Sequence, residues 1–209
     1  TAEADALEWL KPFAGLVQDL SISSDLFHWS EKLSQQARNA SAAAEQLEIP
    51  LGLISIAPPE AVDTALAVGQ LPPGESALMY RGRAAEKLTS RTEGQGWEQF
   101  TSCPHEDLRE PGRVHVDPYG NVQLCQGISL GNLLHTPLKE IAARYEPERN
   151  PVIGPLIEGG PAELVRRHGL PHQDAYADAC HLCYESRRAL RGQFPEILLP
   201  DQMYGVTEG

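Results

Sequence analysis

The chain has 209 residues, enough to bury a core and to form one or two domains. Its 29 acidic residues against 17 basic ones give a net charge of -12, which argues against a nucleic-acid partner, because a phosphate backbone would be repelled. No apolar run approaches the roughly 20 residues of a membrane-spanning helix, and no apolar leader is visible, so the expectation is a cytoplasmic protein without a membrane partner.

In chain order, residues 2–13 read as a short amphipathic helix with Ala6, Leu7 and Leu10 on one face. Residues 16–23 read as a strand that ends in Ser24-Asp25. Over 29–47 the apolar residues Trp29, Leu33, Ala37, Ala40, Ala44 and Leu47 keep the three-and-four spacing of a helical stripe, and Pro50 stops it. Residues 51–56 are nearly continuous in apolar side chains, the pattern of a parallel strand covered on both faces. A helical piece around 60–68 leads through Pro72-Pro73-Gly74 to a third strand at 76–80. Alternating strands and helices of this kind predict a parallel sheet with right-handed crossovers. The polar, glycine-bearing stretch 87–100 reads as a linker, which divides the chain into domains 1–88 and 89–209.

All four cysteines, Cys103, Cys125, Cys180 and Cys183, lie in the second domain. The first two bracket residues 113–125, where apolar and polar residues alternate on both sides of Asp117-Pro118-Tyr119-Gly120-Asn121. That pattern predicts a hairpin with Cys125 at the end of its second strand, within approach of Cys103. Cys180-His181-Leu182-Cys183 is a C-x-x-C at the mouth of a helix predicted over 184–193, a spacing at which both thiolates face one ion or cluster. Four soft ligands in two groups point to a metal centre, and sulfur suits zinc and iron-sulfur clusters alike. Disulfides would require an oxidising compartment, which the low cysteine count does not favour. Elsewhere in this half, 137–145 reads as a helix, 150–160 as a loop around the centre, 161–168 as a helix and 194–200 as an extended or turned tail. His105, His172 and His181 are near cysteines in sequence, but four thiols already complete a ligand set.

Cys103, then Gly120-x-x-x-x-Cys125, then Gly131-Asn132-Leu133 before a helix, and finally Cys180-x-x-Cys183 resembles the twitch domain. This is the shortened relative of the SPASM domain at the C-terminal end of many radical S-adenosylmethionine enzymes, and the resemblance covers about half of the chain. It implies that Cys103, Cys125, Cys180 and Cys183 hold one auxiliary 4Fe-4S cluster. In the same family the catalytic domain is a partial (β/α)6 barrel, and the first three strands here look like its second half. Ile22-Ser23-Ser24-Asp25 is similar to the fourth-strand segment beside the bound nucleoside, and Arg81-Gly82-Arg83-Ala84 to the Gly-Arg-Ala that follows the sixth strand. By this resemblance Ser23, Asp25, Arg81 and Arg83 are cofactor-binding candidates for S-adenosylmethionine in the full-length enzyme, with His28 also at a strand's C-terminal end.

The implied fold class is α/β: the second half of a parallel partial barrel, followed by a small α+β cluster-binding domain with a β-hairpin. Absent from the sequence are the C-x-x-x-C-x-x-C motif of the initiating cluster and the Gly-Gly-Glu segment, both of which belong to the barrel's first half. The resemblance therefore implies the C-terminal part of a longer enzyme, inactive alone. Its partners would be the missing N-terminal barrel half, an external electron donor and a small-molecule or peptide substrate. Four cysteines saturate a 4Fe-4S cluster and leave no open iron, so electron transfer in a radical modification reaction is the expected role. The competing expectation is a non-catalytic interaction module in which the same cysteines hold structural zinc.

Overall fold

The computed structural model describes residues 2–23, 31–60 and 75–206, grouped in two compact units, Thr1–Leu78 and Met79–Gly209. The division falls before the boundary read from the sequence at 88/89. Beyond Glu60, the helical piece expected at 60–68 lies outside the described residues, as do Ser24, Asp25 and His28.

In the first unit, α1 (Glu3–Leu10) runs into a one-turn 3-10 helix (Lys11–Phe13) and packs along α2 (Glu31–Gln46). Gln46 Nε2 donates to Glu3 Oε1 at 2.6 Å, tying the two helices end to end. The strands β1 (Leu20–Ser23), β2 (Leu51–Ile56) and β3 (Glu75–Ser76) form a three-stranded sheet in that order, all parallel as the alternation predicted. Leu20 faces Leu51 and Ser23 faces Ile54. β1 is shorter than expected because the chain first turns through Gly15 at φ +73°, and the Leu20 N–H is the first to reach across, to Pro50 O at 2.8 Å. Similarly, the strand expected at 76–80 stops at Ser76, and the Tyr80 N–H bonds to a carboxylate instead of a neighbouring strand. α2 packs on β1 and β2. Among the described residues, coverage of β2 on both faces is not found: Leu53 is 65% and Ile54 41% exposed, and these neighbours point to opposite sides.

The second unit opens with α3 (Arg83–Lys87) and a 3-10 turn (Thr89–Arg91). The stretch expected to be a linker is instead folded into this unit. There β4 (Gln95–Gly96) pairs antiparallel with β8 (Ala175–Tyr176), the Trp97 N–H bonds to Asp174 O at 3.2 Å, and Phe100 is buried. A polar composition concealed this pairing because its partner lies far along the chain.

The predicted hairpin is present as β5 (His115–Val116) and β6 (Asn121–Cys125). Asp117 shapes its turn by accepting the N–H groups of Tyr119 and Asn121 at 2.9 and 3.0 Å. A third strand, β7 (Ile128–Asn132), was not foreseen and folds back through a two-residue turn, Gln126-Gly127, with Gly127 at φ +87°. α4 (Leu138–Ala143) lies within its expected span. The loop expected at 150–160 is mostly helix, for α5 runs from Ile153 to His168 with Asn150 Oδ1 accepting the Val152 and Ile153 N–H groups at its start. Only Gly159 and Gly160 leave helical geometry, and Pro161 restarts the helix at a position where its missing N–H costs nothing. α6 (Ala179–Leu190) begins earlier than the predicted 184, so both of its cysteines are helical. α5 and α6 contribute Ile153, Leu156, Leu164, Tyr184 and Leu190 to a core completed by Leu124, Ile128, Leu198 and Tyr204.

Candidate metal centre

The cysteine helix is set by Asp178. Its backbone is extended and its Oδ1 accepts the His181 N–H at 2.7 Å, so the helix starts at a fixed residue and Cys180 and Cys183 fall in its first turns. Their three-residue spacing puts both thiols on one side of the helix at its N-terminal end, where the backbone dipole favours negative charge. Asp178 Oδ2 accepts the Tyr80 N–H at 3.2 Å, which clamps the segment leading to Arg81 beside this helix start. Burial pushes the Asp178 carboxyl above its ordinary range despite these bonds.

Cys125 ends β6, and buried Gln123 holds that strand end from both sides. Its Nε2 donates to Asp117 at 3.1 Å and its Oε1 accepts the Gly127 N–H at 2.7 Å. Cys103 arrives on a segment pressed against the kink of α5. A Cβ on Gly160 would stand 2.3 Å from Ser102 N and 2.4 Å from the Thr101 carbonyl carbon. Gly160 also sits at φ +65°, ψ -161°, a region open to glycine alone. The Ala162 N–H then donates to Phe100 O at 3.1 Å. The glycine pair read as loop is thus what lets the Cys103 segment approach the helix.

Together these elements bring all four cysteines to one small cavity of about 30 Å³, walled by apolar side chains such as Leu108, Ile128 and Leu156, with Arg81 and Arg187 as its charged members. All four cysteines carry free thiols and are half-buried. Burial pushes the Cys183 thiol up to about 11, against the opposing pull of Arg187, and raises Cys180 further. Metal coordination deprotonates such thiols outright. Among the described residues no three His, Cys, Asp or Glu side chains form a group able to hold one metal ion.

Arg187 has the most unusual surroundings in the unit. It is 2% exposed, its Nη1 donates to Gln126 O at 2.7 Å and its Nε to Cys183 O at 3.2 Å, and it ion-pairs with no carboxylate among the described residues. Burial works against its charge, and the surrounding Cys183, Tyr204 and Cys125 outweigh burial and hold its pKa above the ordinary value. Tyr204, from the 3-10 turn Asp201–Tyr204 near the C-terminus, closes this side. Its hydroxyl donates to Gly127 O at 2.6 Å and accepts from Arg187 Nη1 at 3.4 Å, while its ring stacks on Tyr184 at 5.9 Å. Sequence reasoning missed both residues. Arg187 carries a signal, lying one helical turn after Cys183 on the same face, whereas Tyr204 carries none.

Of the cofactor-binding candidates, Arg81 lines the cysteine cavity and its Nη1 donates to Cys125 Sγ at 3.4 Å. Arg83 is the exposed first residue of α3, Ser23 is exposed at the end of β1 in the first unit, and Asp25 lies outside the described residues. His105, His172 and His181, near cysteines in sequence, do not line the cavity. The His181 Nδ1 accepts the Ala177 N–H, and His172 packs on Trp97 at 4.3 Å. No described helix is long and apolar enough to cross a membrane. No family model, curated protein or solved structure matches this chain.

Proposed function

We propose that the four cysteines hold one auxiliary 4Fe-4S cluster, and that the chain is the C-terminal part of a radical S-adenosylmethionine enzyme in which this cluster passes electrons. One observation carries the metal assignment: a fully buried guanidinium, Arg187, with no carboxylate partner among the described residues, facing a cavity shared by four cysteines. An uncompensated charge of this kind costs about 3–5 kcal/mol, so the site calls for an anion, and metal-bound thiolates are the anions its residues can supply. The donor set and charge fit the group. Four thiolates around a doubly positive core leave two negative charges, opposite Arg81 and Arg187.

The preference for a polynuclear group over a lone zinc ion rests on the sequence resemblance, since thiolate sulfur suits both. When bound, the cluster would supply one-electron transfer. The chain's own residues bind it through four sulfurs, exclude water with Leu108, Ile128 and Leu156, and hold the sulfurs in place through Asp178, Gln123 and Gly160. The wider enzyme assignment rests on the sequence resemblance. Its barrel cofactor, S-adenosylmethionine, has no complete site in these residues, so the chain alone is expected to cleave none of it. Anaerobic reconstitution tests the metal: about four iron and four sulfide per chain with a broad visible absorption are expected. A colourless protein that takes up zinc and no iron would sink the assignment.

A further inference from the structure

Resemblance to the barrel's last strand would assign Arg81 to a nucleoside, but its side chain goes elsewhere. The Tyr80 N–H is held by Asp178 at 3.2 Å and the Arg81 N–H by Met79 O at 2.9 Å, so the backbone leading into the Arg81 Cα is directed by bonds within the second unit. Gly82 follows at φ +54° and turns the chain into α3. From this fixed point the guanidinium reaches the cavity, and its Nη1 lies 3.4 Å from the Cys125 sulfur. Among the described residues no carboxylate pairs with it. A cation that donates to a cysteine sulfur from a fixed backbone position is placed where it acts on that sulfur's electrons.

We propose that Arg81 sets the reduction potential of the cluster by donating to Cys125, an inference that rests on the cluster assignment above. Reduction adds negative charge to the cluster and its sulfurs. A cation and hydrogen-bond donor at one sulfur stabilises that added charge and raises the potential. Arg81 is a positioning and tuning residue here and is not a ligand. Unlike Arg187, it is partly exposed and outside the apolar core, so its replacement leaves the packing of Leu124, Ile128 and Tyr184 intact.

The test is a redox titration of the anaerobically reconstituted full-length chain, followed by the electron spin resonance of its reduced form, with iron and sulfide assayed on the same samples. Arg81→Gln is expected to keep wild-type iron content and to shift the reduction equilibrium about tenfold toward the oxidised form, about 59 mV lower for a one-electron couple. Arg81→Lys, which keeps the charge and loses the fork, should fall between the two. Equal potentials in wild type and Arg81→Gln at full iron content would overturn the role of Arg81 and leave the cluster assignment standing. A wild-type protein that takes up no iron would overturn both. Should Arg81→Gln fail to load, Arg81→Lys decides alone: a lowered potential supports the role and an unchanged one ends it.

Discussion

The two units solve the problem of holding a fold together in different ways. Among the described residues, the buried apolar side chains of the first unit include Ala43, Ala44, Ile49 and Ala57, mostly alanines, and the small Ala43 and Ala44 let α2 lie close on the parallel strands. The second unit buries Leu124, Ile128, Ile153, Leu164, Leu190 and Leu198 with Tyr184 and Tyr204, and places within that core a charge, Arg187, whose answer is the cysteine cavity. One unit is a sheet organised by backbone pairing. The other joins two longer helices, α5 and α6, to strands of only two to five residues and brings them to one spot. Strands that short are marginal alone, so ligation at their meeting point should supply much of the folding free energy.

The largest effect should come from removing a ligand. Cys183→Ala is expected to cut bound iron from about four per chain to a small fraction, and to open the second unit to protease after Phe100 while the parallel sheet stays intact. Cleavage spread evenly over both units, or equal resistance of mutant and wild type, would break the contrast. Next is Gly160→Ala, which forces a side chain into backbone 2.3 Å away at a φ, ψ pair reserved for glycine. A loss of about 3 kcal/mol in denaturant unfolding of the second unit is expected, with impaired iron uptake because Cys103 is displaced.

Replacing Arg187 by methionine sharpens the comparison. An apolar side chain removes the buried charge, which by itself is neutral or favourable, but would leave the thiolates of the proposed cluster without their counter-ion. The loaded protein should lose about 3 kcal/mol and the metal-free protein distinctly less. Calorimetry of both forms checks this, and equal losses would mean that Arg187 serves packing alone. Tyr204→Phe removes the hydrogen bond to Gly127 O while keeping the stacked ring, so a loss of about 1 kcal/mol is expected. The smallest effect belongs to the first unit, where Glu48 ends α2 at φ 54°. Glu48→Gly relieves left-handed strain and should gain about 0.5–1 kcal/mol there, with no change in iron content.

Much of this molecule is written locally. The helices at 3–10, 31–46 and 138–143, strand 51–56 and the hairpin ending at Cys125 follow from apolar spacing, proline positions and the Asp-Pro-Tyr-Gly-Asn turn, because each depends on residues a few positions apart. That the four cysteines meet at one cavity was legible for the same reason, through the C-x-x-C and the hairpin. What only the tertiary structure decided involves partners distant in sequence. Residues 95–96 read as linker and became a strand through Ala175 and Tyr176, Gly160 read as loop and is the contact point for Thr101 and Ser102, and Arg81 read as a nucleoside contact and reaches Cys125. Arg187 and Tyr204 had no local pattern to announce them, since a buried charge and the phenol that receives it take their meaning from the field and the space around them, which exist only once the chain has closed.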